Sequence, residues 1–381
     1  MKTNCSVEPL PLNIDVETKK VLRQAAKSNR MLAELKGVAK TIPNEEILIQ
    51  SLILQEAKDS SDIENIVTTQ DDLYRATLTL SGENVSPATK EVMRYGQAMR
   101  KGFNTVRHNK LLTNNVIQQI QCELEDNTAG FRTTMGTVLM NSAGEVVYTP
   151  PQDAEDVLRL MGNLERYINT PEMHDVDPLI KLAIIHYQFE CIHPFYDGNG
   201  RTGRIICILY LIINDLLDLP ILYLSRYITR TKSAYYEGLQ QVRTSGGTQE
   251  AWESWILYML RGIEQIATET IELIHGIDAL MKSCKEKIRS SAPKIYSHDL
   301  LNCLFYSPYT KTEHLEKQLL ISRPTAAKYL DELVKLGVLK KERLWRSNYY
   351  INTALVTLLA QADSTPLQNA SELIRTVESM A

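Results

Sequence analysis

The sequence predicts a mainly α protein that carries one β-hairpin and ends in a helix-turn-helix with a two-stranded wing. Three observations predict it. Apolar residues recur at helical spacing, with capping residues, through most of the first 280 positions. Between Gly130 and Pro151 the period changes to alternation around a turn-forming centre. After residue 296 three short helical stretches are followed by a second alternating pair.

At 381 residues the chain is long enough for two or three domains. With 44% hydrophobic and 23% charged residues, the composition is that of an ordinary soluble globular protein. A net charge of −4 and a pI near 6.0 argue against a nucleic-acid coat or a polybasic membrane binder. The first residues, Met1-Lys2-Thr3-Asn4-Cys5, lack the apolar region of a secretory signal. The longest apolar run, 205–213, is too short to span a bilayer. Cysteines 5, 122, 191, 207, 284 and 303 show no CxxC spacing, so neither a zinc site nor a disulfide framework follows. Reduced thiols and a cytoplasmic location are expected.

Residues 1–16 are irregular, with Pro9 and Pro11. A helix is expected over 16–39, and Pro43-Asn44-Glu45-Glu46 starts another through about residue 60. That helix carries Ile47, Leu48, Ile49, Leu52, Ile53 and Leu54, more apolar surface than a free helix shows, so it should dock on another domain. Ser60 can cap a helix start, which would put Glu64 in a first turn. Further helices are expected from Ser86 to about 103 and over 113–124. Segments 135–140 and 145–150 then form a hairpin around Asn141-Ser142-Ala143-Gly144, whose free edges can hold an extended peptide.

Residues 179–189 read as a buried helix, with Asp177 as N-cap and Pro178 at the first position. Residues 205–213 read as another. Beyond them come helices over 229–239 and 251–276, Trp252 and Trp255 filling the core, and a linker or linking helix over 282–294. Helices over 297–306 and 312–319 precede one opened by Ser322-Arg323-Pro324, and 338–351 makes the wing. Arg323, Thr325 and Lys328 would face a DNA groove. From 296 to 350 there are nine Lys and Arg against six Asp and Glu, only mildly basic, so DNA binding through 322–350 and protein docking both stay open.

The chain is organised around the loop between its two buried helices. His193 is the only side chain there that can accept a proton near neutral pH. Gly198 and Gly200 let the backbone approach an anion at the positive end of the next helix. Asn199 tolerates a left-handed turn and offers a donor. Arg201 and Arg204, three apart, can reach one phosphate chain. Asp197 would repel phosphates unless a Mg²⁺ ion lies between them. A structural Asx-turn with a surface arginine pair is the simpler account of these residues. Cys191 beside His193 suggests a Cys-His nucleophile, but neighbours at a helix end seldom share the required geometry.

Residues 193–204, read as His193-Pro194-Phe195-Tyr196-Asp197-Gly198-Asn199-Gly200-Arg201-Thr202-Gly203-Arg204, match the HPFx[DE]GNGRxxR signature position for position. In this the chain resembles the Fic domain family, which transfers AMP from ATP to a hydroxyl of a target protein. The resemblance implies His193 as general base. It implies ATP held by Asp197, Gly198, Asn199, Gly200, Arg201, Thr202, Gly203 and Arg204, and Mg²⁺ on Asp197. It places Tyr235 and Tyr236 near the adenine, although Tyr is equally a core-edge residue. The hairpin 135–150 corresponds to the flap that holds the target segment. Ser60-x-x-x-Glu64-Asn65 matches the [ST]xxxE[GN] inhibitory motif of the class with that motif N-terminal to the core. Glu64 would then pair with Arg204 and take it from the nucleotide. A winged-helix tail occurs in many bacterial members of this class.

The organisation implied is 1–100 as the helical region with the inhibitory motif, 101–280 as the catalytic core and 281–381 as linker and winged helix. Two rival readings remain. One keeps the site with another donor, since some relatives move UMP or phosphocholine; the other is a nucleotide-sensing DNA-binding regulator. A homodimer is open, and no membrane partner is expected.

Overall fold

The computed structural model describes residues 7–78, 85–141, 143–344 and 347–364; Cys5 and the turn residue Ser142 lie outside them. Its elements run α1 (Lys19–Ala39), α2 (Glu45–Ile63), α3 (Gln70–Thr77), α4 (Pro87–Asn109), α5 (Asn114–Glu125), β1 (Leu139–Met140) and β2 (Val146–Tyr148). After these come α6 (Ala154–Asn169), α7 (Pro178–Ile192), α8 (Asn199–Ile213), α9 (Ser225–Arg230), α10 (Lys232–Thr244) and α11 (Gln249–Ser291). The last are α12 (His298–Tyr306), β3 (Tyr309–Thr310), α13 (Thr312–Leu319), α14 (Arg323–Lys335), β4 (Lys340–Leu344), β5 (Ser347–Ile351) and α15 (Thr353–Ser364). Helix dominates, as the periodicity requires. Two compact units divide the chain, and neither is one continuous run of sequence.

The first unit comprises Met1–Ala33, Ile53–Val67 and Lys90–Ala267. At its centre α7 packs on α8. Every residue of α7 after Pro178 is buried, because the helix has no polar face to offer water. Asp177 starts it by accepting from Leu179 N–H at 2.8 Å. Trp255 of α11 fixes its middle, donating from Nε1 to the Ala183 carbonyl at 2.9 Å.

Two boundaries in this unit differ from expectation. α2 runs through Ile63, so Ser60 sits in its last turn and Glu64 just past its end, not at a helix start. The hairpin is shorter than its alternating pattern: only 139–140 and 146–148 pair, while Asn141 Oδ1 closes the turn on the N–H groups of Ala143 (3.0 Å) and Glu145 (2.9 Å). Met135, Met140 and Val146 stay exposed, so there is little burial to extend the ladder.

The second unit comprises Glu34–Leu52, Thr68–Thr89 and Thr268–Ala381. α11 does not stop near 276 but continues as one helix of 43 residues. No Gly or Pro interrupts 277–291, and Ile277, Met281 and Ile288 keep a buried stripe at helical spacing. Ser322 caps α14 by accepting from Thr325 N–H. β4 and β5 form the expected hairpin, and β3 joins β5 to make an antiparallel sheet of order β3-β5-β4. Three short helices, α12, α13 and α14, accompany this sheet. Unforeseen is α3, whose Tyr74 stacks on Tyr309 at 5.7 Å while Asp71 accepts from the Tyr309 hydroxyl. Among the described residues no helix is long and apolar enough to cross a membrane.

Candidate active site

α7 ends at His193, which takes a left-handed conformation with φ 49°. Such a backbone costs a non-glycine residue about 1–3 kcal/mol and persists only where its surroundings impose it. Here Arg132 imposes it. That buried guanidinium donates from Nε to the His193 carbonyl at 2.8 Å and from Nη2 to Ile192 and Pro151 carbonyls, while its own N–H reaches Pro194. Nothing in the sequence near Arg132 signals this role. Phe195 anchors the loop below, buried against Phe131 and Phe189.

The His193 imidazole is half-buried, and its Nδ1 has no partner among the described residues. Burial, with Arg243 and Arg132 nearby, lowers its basicity to about 4. It is therefore neutral at physiological pH and ready to accept a proton.

The turn that follows gives each residue a different task. Gly198 holds φ 76° at the N-cap of α8, and a Cβ there would strike the Glu125 carboxylate. Asn199 is not a free donor at the loop tip. It is buried, donating to the Phe195 carbonyl at 2.9 Å and accepting from Phe195 N–H at 2.8 Å, so it braces the loop from within. Gly200 leaves room for the Glu64 carboxylate, which a Cβ would meet. Thr202 is buried in α8, and Gly203 faces Phe189 and Glu190 of α7, where it serves helix packing.

Asp197 is exposed, and its Oδ1 accepts from Gly198 N–H at 2.7 Å. Among the described residues no three His, Cys, Asp or Glu side chains converge on a metal position. One carboxylate still suits Mg²⁺, which keeps several waters and is commonly shared between a protein carboxylate and substrate phosphates.

The two arginines are placed differently. Arg201 is buried and paired on both sides, Nη1 to Glu91 at 2.6 Å and Nη2 to Glu125 at 2.8 Å. Burial raises the Glu125 carboxyl above its usual range even though Arg201 opposes that shift. Two carboxylates, from α4 and α5, thus stand against this guanidinium.

Arg204, 2% exposed, donates from Nε to Ser60 Oγ at 2.7 Å and from Nη2 to both the Ser60 carbonyl and Glu64 Oε1 at 2.8 Å. Burial opposes ionisation of Glu64, but Arg204, Arg201 and His193 together outweigh it and hold its carboxyl below the usual range. Asn65 takes φ 63° immediately afterwards and lets the chain leave α2. Two buried carboxyls missed in the sequence, Glu56 and Glu190, flank this guanidinium; burial lifts each to about 7, with Arg204 pulling the other way.

Tyr235 is buried, bonded to His186 Nε2 at 2.8 Å and packed against Trp255. Tyr236 beside it is 46% exposed and remains available to a ligand. On α14, Arg323 pairs with Glu313 at 2.8 Å, which reduces the positive face expected for a nucleic-acid reader.

Residues 22–104 match the Fic/DOC family N-terminal region, 111–211 the Fic/DOC family itself, and 280–355 the C-terminal domain of SoFic-like protein adenylyltransferases. A probable protein adenylyltransferase of Aquifex aeolicus is 26% identical over 308 residues, spanning 79% of this chain and 86% of that one. The protein adenylyltransferase Fic of Drosophila erecta is 33% identical over 104 residues, 26% of this chain and 21% of the fly protein. In fold, a Fic family protein of Desulfovibrio desulfuricans superposes with a TM-score of 0.56 at 20% identity, covering 90% of this chain and 98% of that one. Three successive stretches are thus matched: the chain carries a Fic/DOC N-terminal region, a Fic domain with its signature loop set between α7 and α8, and a SoFic-like C-terminal domain.

Proposed function

We propose that the protein is a self-inhibited protein adenylyltransferase that moves AMP from ATP to a Tyr, Thr or Ser hydroxyl of another protein. The observation that carries the reading is the buried Arg204, held by Ser60 and Glu64 from the end of α2. Relatives bearing the adenylyltransferase name support the chemistry.

In the reaction, neutral His193 takes the proton of the attacking hydroxyl, and Arg132 keeps the imidazole in place through the His193 carbonyl. The Gly198–Gly200 turn at the positive end of α8 receives the phosphates on backbone N–H groups. Asp197 would hold Mg²⁺, which when bound neutralises the leaving pyrophosphate. Arg204 is the guanidinium kept for the terminal phosphate, and Glu64 occupies it at rest. Tyr236 is the aromatic ring on hand for the adenine. The hairpin, with exposed Met140 and Val146, offers the edge on which a target segment is presented.

The test is incubation with labelled ATP and a cell lysate, comparing the natural chain with Glu64→Gly and His193→Ala. Labelled bands that strengthen in the first variant and vanish in the second are expected. No labelling from ATP by any of the three would overturn the reading.

A further inference from the structure

A cavity of 330 Å³ lies in the first unit between segment 7–14, the end of α7, β2 and the stretch joining α10 to α11, and His193 is not among its walls. Its one cationic side chain is Arg243, which is 7% exposed. The guanidinium lies over the Tyr148 ring at 4.0 Å, Nε meets Cys191 Sγ at 3.4 Å, and Nη2 reaches the Glu190 carbonyl at 3.5 Å. Among the described residues Nη1 has no partner and no carboxylate pairs with Arg243. Arg201 and Arg204, buried alike, are matched by carboxylates, whereas Arg132 is held by carbonyl oxygens. The other walls mix Tyr187, Val242 and the Trp252 ring with the polar residues Asn13 and Gln188.

We propose that this cavity binds a small organic monocarboxylate with a flat apolar body, its carboxylate on Arg243 and its body against Tyr187 and Trp252. Size and charge both select that class. The volume is at the low end of the roughly 300–1,000 Å³ of small-molecule sites, room for a single ring. Arg243 is the single cation of the lining, which suits one carboxylate rather than the polyphosphate that the loop at 197–204 would take. The planar guanidinium suits a carboxylate edge-on.

The probe is sodium benzoate, titrated into the full chain by calorimetry and by tryptophan fluorescence. Saturable binding at one site is expected, weakened about tenfold or more by Arg243→Gln. Leu12→Trp, which keeps the charge and fills space at the wall, should abolish it. Sodium phosphate at equal concentration should not displace it. Absence of saturable binding overturns the proposal, as does unchanged affinity in a folded Arg243→Gln protein or in Leu12→Trp. Displacement by phosphate would mean an adventitious anion contact and would overturn it too.

Discussion

Replacing Glu64 with glycine takes away the carboxylate that holds Arg204 Nη2 at 2.8 Å. Arg204 keeps its bonds to Ser60 Oγ (2.7 Å) and to the Ser60 carbonyl (2.8 Å), so the guanidinium should stay in place with donor capacity released. A hydrogen bond between charged groups contributes about 1.5–3 kcal/mol. The Glu64 side chain is 36% exposed, so solvent screening favours the lower figure. About 1.5 kcal/mol is about tenfold in rate, and a nucleotide misaligned by an ångström can lose on the order of a hundredfold. We therefore expect AMP incorporation to rise between about ten- and a hundredfold at saturating ATP. ATP affinity, read by calorimetry, should change much less, since the loop N–H groups are untouched. The measurement is the initial rate of label transfer from ATP, taken alongside the thermal midpoint of each protein. A variant that is less stable but no faster would refute the argument and leave Glu64 as a residue of α2's end only.

Three further outcomes are expected. His193→Ala should lower transfer by about 10²–10⁴ while ATP binding persists, and in the natural protein the acid limb of the rate should lie near pH 4, where His193 gains its proton, rather than near 6.5; an acid limb near 6.5 would contradict the site's electrostatics. Asp197→Ala should weaken the Mg²⁺ dependence of transfer without recovery at high metal, and identical metal titrations of the two proteins would remove Asp197 from the metal position. Glu190 holds its proton up to about 7 in the folded chain against 4.5 for an ordinary glutamate, so the stability it contributes is fully present below 4.5 and is lost as pH rises through about 7; Glu190→Gln should flatten that fall in thermal midpoint, and equal slopes for the two proteins would count against it.

What the linear order of residues settles here is local. Apolar periodicity and caps at Asp177 and Ser322 place helices because a helix reports its face and its ends within a few turns. The loop between α7 and α8 is equally legible, since its Gly, Asn, His and Arg serve chemistry confined to twelve positions. Composition cannot say which distant groups fold back onto that loop. Arg204 and its partner Glu64 are 140 positions apart; the resemblance implied the pair, and the packing of α2's end beside α8 makes it. Packing alone supplies Glu91 and Glu125, which claim Arg201, Arg132, which locks the His193 backbone, and His186, which bonds Tyr235. Each of these is decided by burial: a charge or hydroxyl removed from water must find a partner, and its partner is whatever the tertiary fold has put within about 3 Å.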